Sequence, residues 1–262
     1  MKTKRVVVKV GTSTLTHENG RLNLRRIETL CKVLSDLQNA GSEVVLCSSG
    51  AMGVGVGKLG LKARPASVPD RQAVSAVGQC ELMFIYDKLF GEYNHTVAQV
   101  LLTRDVVEHD LTKQNVVNTF KALLKMGIIP IVNENDTVAT DELRGQNFGD
   151  NDTLSAIVAD LVEADSLIIL TDIDGLFEED PRKNPEAKLI PEVTYIDEHI
   201  RAIAGGTGSN RGTGGMSTKV SAAVVATDAG IDCYVINGAD PHNLYELFDG
   251  KQIGTVFRAK AR

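Results

Sequence analysis

The 262-residue chain is 43% hydrophobic and 24% charged, which excludes a disordered protein and is enough to bury one folded core or two. A formal charge of −6 disfavours a mainly electrostatic nucleic-acid binder, while a local basic pocket for one small anion stays compatible with it. No run approaches the roughly 20 apolar residues that span a bilayer, and the start MKTKRVVVKVG is interrupted by Lys9 and followed by no small-residue cleavage site, so a cytoplasmic protein is expected.

Short Val/Ile/Leu-rich runs alternate with longer helical patterns along the chain, as parallel strands joined by crossover helices do. A strand over Arg5 to Val10 leads to a helix over Leu24 to Asn39, then a strand over Ser42 to Cys47. A helix over Asp70 to Phe90 precedes a strand over Thr96 to Leu101. Next come a helix over Asn115 to Met126, a strand over Ile128 to Asn133 and a helix over Asp152 to Glu163. A strand over Ser166 to Leu170, a helix over Ser217 to Ala229 and a strand over Cys233 to Asn237 complete the set. Gly41, Gly127 and Gly230 stand where three helices should stop. The strands are apolar almost throughout, which suits burial on both faces. Without a Pro/Ser-rich linker, one compact α/β unit with two lobes is expected. The cysteines Cys31, Cys47, Cys80 and Cys233 have no metal-ligand spacing and read as reduced thiols.

In open sheets of this kind the chemistry belongs to the loops after the strands. The first strand places Lys9 beside Gly11, Thr12 and Ser13. A lysine inside an apolar strand either meets an anion or lies on an edge strand and reaches solvent. The second strand ends in Ser48, Ser49, Gly50 and Ala51, whose amides and hydroxyls suit an anion. Gly55, Gly57 and Gly60 formally satisfy GxGxxG, but the pattern misses the turn itself and lacks an acidic residue at the required distance. The fourth strand leads into Glu134 and Asp136, which either bind an ammonium or metal or stabilise the turn. Gly149, Asp150, Asn151 and Asp152 then precede a helix whose capping explains one acid and not all the polar residues. After the fifth strand come Thr171 and Asp172, and later a loop element with Asp180, Pro181 and Arg182. The last glycine-rich loop runs through Thr213, Gly214 and Gly215 into Met216, Ser217, Thr218 and Lys219, an arrangement that wraps a polyphosphate at a helix start. Neither a Walker A loop nor the HRD and DFG signatures of protein kinases occur.

The ordered set VKVGTS, SSGAMGVG, NENDTV, GDNDTLSA, LTDIDGLF with DPRKNP, and GTGGMSTK resembles that of the amino acid kinase family, from Arg5 to at least Thr255. The resemblance implies a three-layer αβα sandwich around a mostly parallel sheet. The acceptor would be held mainly by the first lobe, about 1–165, and ATP by the second, about 166–262. It is closest to members that phosphorylate the γ-carboxylate of L-glutamate at the first step of proline biosynthesis. By that resemblance Lys9 and Lys219 stabilise the phosphoryl group and Asp152 positions them. Ser49, Asp136 and Asn151 would bind glutamate; Thr171, Asp172 and the segment Thr213 to Lys219, with Lys9, would bind ATP, accompanied by Mg2+. The resemblance also implies a homo-oligomer and proline as a feedback inhibitor, with neither nucleic acid nor membrane as partner. Many bacterial relatives carry an RNA-binding-like PUA domain after the kinase domain, and no such sequence follows here. The alternatives are another family acceptor, namely acetylglutamate, aspartate or carbamate, or a non-catalytic nucleotide sensor on the same fold.

Overall fold

A computed structural model describes residues 4–17, 20–139, 151–205 and 215–260. Eight strands form one sheet: β1 (Arg5–Val10), β2 (Glu43–Ser48), β3 (Val97–Leu102), β4 (Ile129–Glu134), β5 (Ser166–Thr171), β6 (Glu192–Val193), β7 (Asp232–Asn237) and β8 (Thr255–Phe257). Their order is β3-β4-β2-β1-β5-β7-β8-β6, and every neighbouring pair is parallel except β7 with β8. The chain extends the sheet to one side of β1 first and then to the other, which makes the β1/β5 boundary its topological switch point, where such sheets place ligands.

The helices are α1 (Thr12–Leu15), α2 (Leu24–Asn39), α3 (Ala51–Lys58), α4 (Val68–Gly91), α5 (Arg104–Glu108), α6 (Asp110–Lys125), α7 (Asn151–Leu161), α8 (Glu198–Ala204), α9 (Met216–Asp228) and α10 (Asn243–Phe248). They form two outer layers because strand side chains alternate between faces. Val6, Val8 and Val10 join a core with side chains of α2, α3, α4 and α10. Val7, Cys47 and Ile169 join the opposite core with α6, α7 and α9. Lys9 shares a face with Val7, so it points toward the layer that carries α7 and α9. Strand β1 lies in the middle of the sheet, and this removes the reading of Lys9 as an edge lysine.

The six longer strands fall within one residue of their sequence limits at each end, and Gly41, Gly127 and Gly230 stop their helices with positive φ values of 98°, 72° and 80°. The helix expected from Asn115 begins five residues earlier at Asp110, where the polar run DLTKQ hid the first turn. The largest difference is α3. No helix is expected there from sequence, since glycine costs about 1 kcal/mol relative to alanine inside a helix, yet Gly53, Gly55 and Gly57 all lie within it. Packing explains the choice. A Cβ on Gly55 would sit 2.0 Å from the Val74 carbonyl oxygen, and one on Gly78 of α4 would sit 1.7 Å from that of Ala51. The two helix backbones touch at Gly55 and Gly78, while a Cβ on Gly57 would sit 2.6 Å from the Gly20 carbonyl oxygen, so Gly55 and Gly57 serve close backbone approach rather than a dinucleotide. Gly78→Ala is therefore expected to destabilise the protein by about 1–3 kcal/mol or more through overpacking, read from the midpoint of urea unfolding. A wild-type midpoint would show that α3 and α4 separate without cost.

Candidate active site

Three charged side chains that are far apart in sequence meet beneath the C-terminal ends of β1 and β5. Lys9 is 6% exposed, Lys219 is 6% exposed and Asp152 is fully buried. The Asp152 carboxylate holds both ammonium groups, with Oδ1 at 2.5 Å from Lys9 Nζ and Oδ2 at 3.1 Å from Lys219 Nζ. Thr218 adds a hydroxyl that donates to the same Oδ2 at 2.9 Å. Each residue arrives by a different route: Lys9 along the central strand, Asp152 in the first turn of α7, and Thr218 and Lys219 in the first turn of α9.

Burial alone would push the Asp152 carboxyl upward, but the charges and hydrogen bonds of Lys9 and Lys219 outweigh it and hold the group below the ordinary carboxylate range. Asp152 is therefore ionised at neutral pH. Two ammonium groups against one carboxylate leave one net positive charge in a nearly water-free place. Such an excess is costly without an anion beside it. The N-terminus of α9 follows Gly215, which offers no side-chain cap, and brings its first-turn backbone N–H groups to the same side. The arrangement suits a polyanion that gains negative charge during reaction.

The other sequence candidates distribute around this centre. Thr171 closes β5 with its hydroxyl donating to Asp172 at 3.2 Å, and Met216 and Ser217 open α9 ahead of Lys219. Ser49 follows β2, its amide donating to the Val10 carbonyl at 3.0 Å. Asn151 opens α7 and donates from Nδ2 to the Ser48 carbonyl at 3.1 Å and to Asn133 Oδ1 at 2.8 Å. Thr213 and Gly214, together with Gly149 and Asp150, lie outside the described residues. Asp136 lines a polar cleft with Glu134, Met52, Arg64, Arg71 and Gln72. Gln72 Nε2 donates to the Ala139 carbonyl at 3.2 Å, which fastens the turn carrying Asp136 to the start of α4. Sequence reading missed Arg64, Arg71 and Gln72, because they lie near a helix start that otherwise reads as a capped terminus: the Ser67 hydroxyl accepts from the Asp70 amide at 3.2 Å. Among the described residues no group of three His, Cys, Asp or Glu side chains would hold a metal ion, and no helix is long and apolar enough to cross a membrane.

Comparison with known proteins shows the family and the fold. The profile of the amino acid kinase family matches residues 4–237. The chain is 61% identical over 258 residues to a glutamate 5-kinase of Clostridium perfringens, covering 98% of this chain and 96% of that protein. It is 56% identical over 258 residues to a glutamate 5-kinase of Listeria monocytogenes, covering 98% and 94%. Among solved structures, UMP kinase from Bacillus anthracis superposes with a TM-score of 0.67 at 19% identity, covering 99% of this chain and 97% of that one. An isopentenyl phosphate kinase from T. acidophilum gives 0.66 at 19% identity, covering 97% and 100%. At that identity the two structures speak for the fold alone.

Proposed function

This chain belongs to the amino acid kinase family, and from that premise we propose that it transfers the γ-phosphoryl group of ATP to the γ-carboxylate of L-glutamate, giving γ-glutamyl phosphate and ADP for proline synthesis. The observation that carries the reading is the buried pair of lysines sharing one carboxylate, with net positive charge left for a transferring phosphoryl group. A glutamate side-chain carboxyl has an ordinary pKa of about 4.3, so the nucleophile arrives ionised and needs no base. The obstacle is repulsion between an anion and a polyanion. Lys9 and Lys219 offset it and follow the charge as it moves to the leaving oxygen. Asp152 keeps both ammonium groups in place.

In the same reading the first lobe, about 1–165, holds glutamate through Ser49, Asp136 and Asn151. The second, about 166–262, holds ATP through Thr171, Asp172 and the segment from Thr213 to Lys219. Magnesium would come with the nucleotide, bound to phosphate oxygens, where it neutralises charge; the described donor set supplies no resident site. Proline as feedback inhibitor and a homo-oligomeric cytoplasmic enzyme complete the proposal.

The test is ADP release with glutamate, acetylglutamate, aspartate and carbamate as acceptors. Glutamate should support turnover well above the others. A preference for acetylglutamate would overturn the choice of acceptor, because that molecule lacks the ammonium assigned to Asp136. Asp136→Ala should raise the glutamate KM about 10- to 100-fold, the range for losing a hydrogen bond to a charged group, with kcat and the ATP KM nearly unchanged. A rise in the ATP KM instead would reverse the lobe assignment.

A further inference from the structure

The amide side chains behind Asn151 form a relay whose orientation is fixed by backbone groups. Asn151 Nδ2 donates to the Ser48 carbonyl and to Asn133 Oδ1. Asn133 Oδ1 also accepts from the Glu134 backbone amide at 2.9 Å, and Asn133 Nδ2 donates to Gln79 Oε1 at 2.8 Å. Nitrogen and oxygen of an amide are often exchangeable by a flip, but here they are not. The Ser48 carbonyl can only accept, so the atom of Asn151 facing it must be Nδ2. The Glu134 amide can only donate, so the atom of Asn133 facing it must be Oδ1. The remaining nitrogen of Asn133, 3% exposed, then requires an acceptor, and Gln79 supplies it. Helix α4 holds the neighbouring strand end as well: Tyr86, two turns beyond Gln79 on the same face, shares a 2.8 Å hydrogen bond between its hydroxyl and that of Ser48.

An asparagine side chain has two donor hydrogens and one carbonyl acceptor. Both bonds from Asn151 Nδ2 are made inside the protein, and among the described residues Oδ1 takes no hydrogen bond, so the carbonyl is the part of the amide assigned to a ligand. A carbonyl oxygen repels a carboxylate and accepts from an ammonium. We propose that Gln79 is a positioning residue that, by anchoring Asn133, keeps Asn151 in the place from which its carbonyl, with its polarity set by the Ser48 and Glu134 backbone groups, meets the acceptor, and that this arrangement makes the site select acceptors bearing a free ammonium group. The inference rests on the glutamate-kinase reading and deepens it. Asp136 supplies charge toward the ammonium, while the relay supplies a directed dipole that cannot turn to welcome an anion.

The experiment measures the glutamate KM and the inhibition constant of glutarate, which is glutamate without its ammonium, in wild type, Gln79→Leu and Gln79→Glu. Glutamate-dependent ADP release by wild type tests the underlying reading separately, and its absence would overturn both. Given that activity, Gln79→Leu should raise the glutamate KM about tenfold, with kcat, the ATP KM and the glutarate constant within about twofold of wild type. Gln79→Glu keeps an oxygen that accepts from Asn133 Nδ2 and should restore the wild-type KM. Equal rises for glutamate and glutarate would mean that Gln79 merely shapes the pocket, and the proposal would fall. It would fall equally if the glutamic acid variant lost as much glutamate affinity as the leucine variant, a comparison that stands even where the leucine variant folds poorly.

Discussion

Replacing Lys219 with methionine is expected to lower kcat about 10²- to 10³-fold, the cost of removing one group that meets developing charge in a dry site, while the glutamate KM moves little. The ammonium of Lys219 lies at the start of α9, held at 3.1 Å by Asp152, and in the proposed mechanism it interacts most strongly with the phosphoryl group as its charge shifts. An interaction made mainly in the transition state appears in kcat and not in substrate affinity. Methionine keeps the length and flexibility of the apolar stem. Asp152 still has Lys9 and the Thr218 hydroxyl as partners, so the fold should survive. A variant with near-normal kcat would remove this lysine from the mechanism.

Removing Asp152 acts on stability as well as rate. Asp152→Ala would leave two buried ammonium groups facing each other without their carboxylate, and losing one partner of a buried ionic group costs about 3–5 kcal/mol. The shift of the urea midpoint measures it. The pH dependence has a definite sign. The folded carboxyl titrates below its unfolded value of about 3.9, so its contribution is fully present above that value and is lost as pH falls toward the lower, folded one. The stability gap between wild type and Asp152→Asn should therefore be constant near neutrality and shrink as pH drops below about 4. In catalysis Asp152→Asn should slow turnover strongly yet retain the acidic limb of kcat/KM, because that limb comes from the glutamate carboxyl, ordinarily about 4.3. If the limb vanished in the variant alone, Asp152 would be accepting a proton, and the base-free mechanism would have to be abandoned.

How far the sequence could be read follows from range. Parallel strands buried on both faces are near-continuous apolar runs, so β1, β2, β4, β5 and β7 announce themselves. Strands β6 and β8, with two and three residues, are too short to show a period. The four-residue α1 is likewise silent, and the glycines of α3 speak against a helix until the close approach of Gly55 to α4 and of Gly57 to Gly20 is seen. Lys9 is legible because a charge in an apolar strand demands a reason. That Asp152 is its partner is not, since the pairing depends on how β1 and α7 come together across most of the chain. The bond between Gln79 and Asn133 is less visible still: an amide partly buried within a long helix carries no signal until a strand end is placed against it.

The position of β1 at the centre of the sheet has a consequence for how the protein is made. Lys9 leaves the ribosome 210 residues ahead of Lys219. Strand β1 finds β2 early, but its other edge stays unpaired until β5 is synthesised, an open template for wrong pairing during that interval. No nascent or prematurely ended chain that stops before α9 carries the complete set of charges. Appearance of activity therefore marks synthesis at least through α9, and fragments made separately would have to find each other across the β1/β5 seam before either could work.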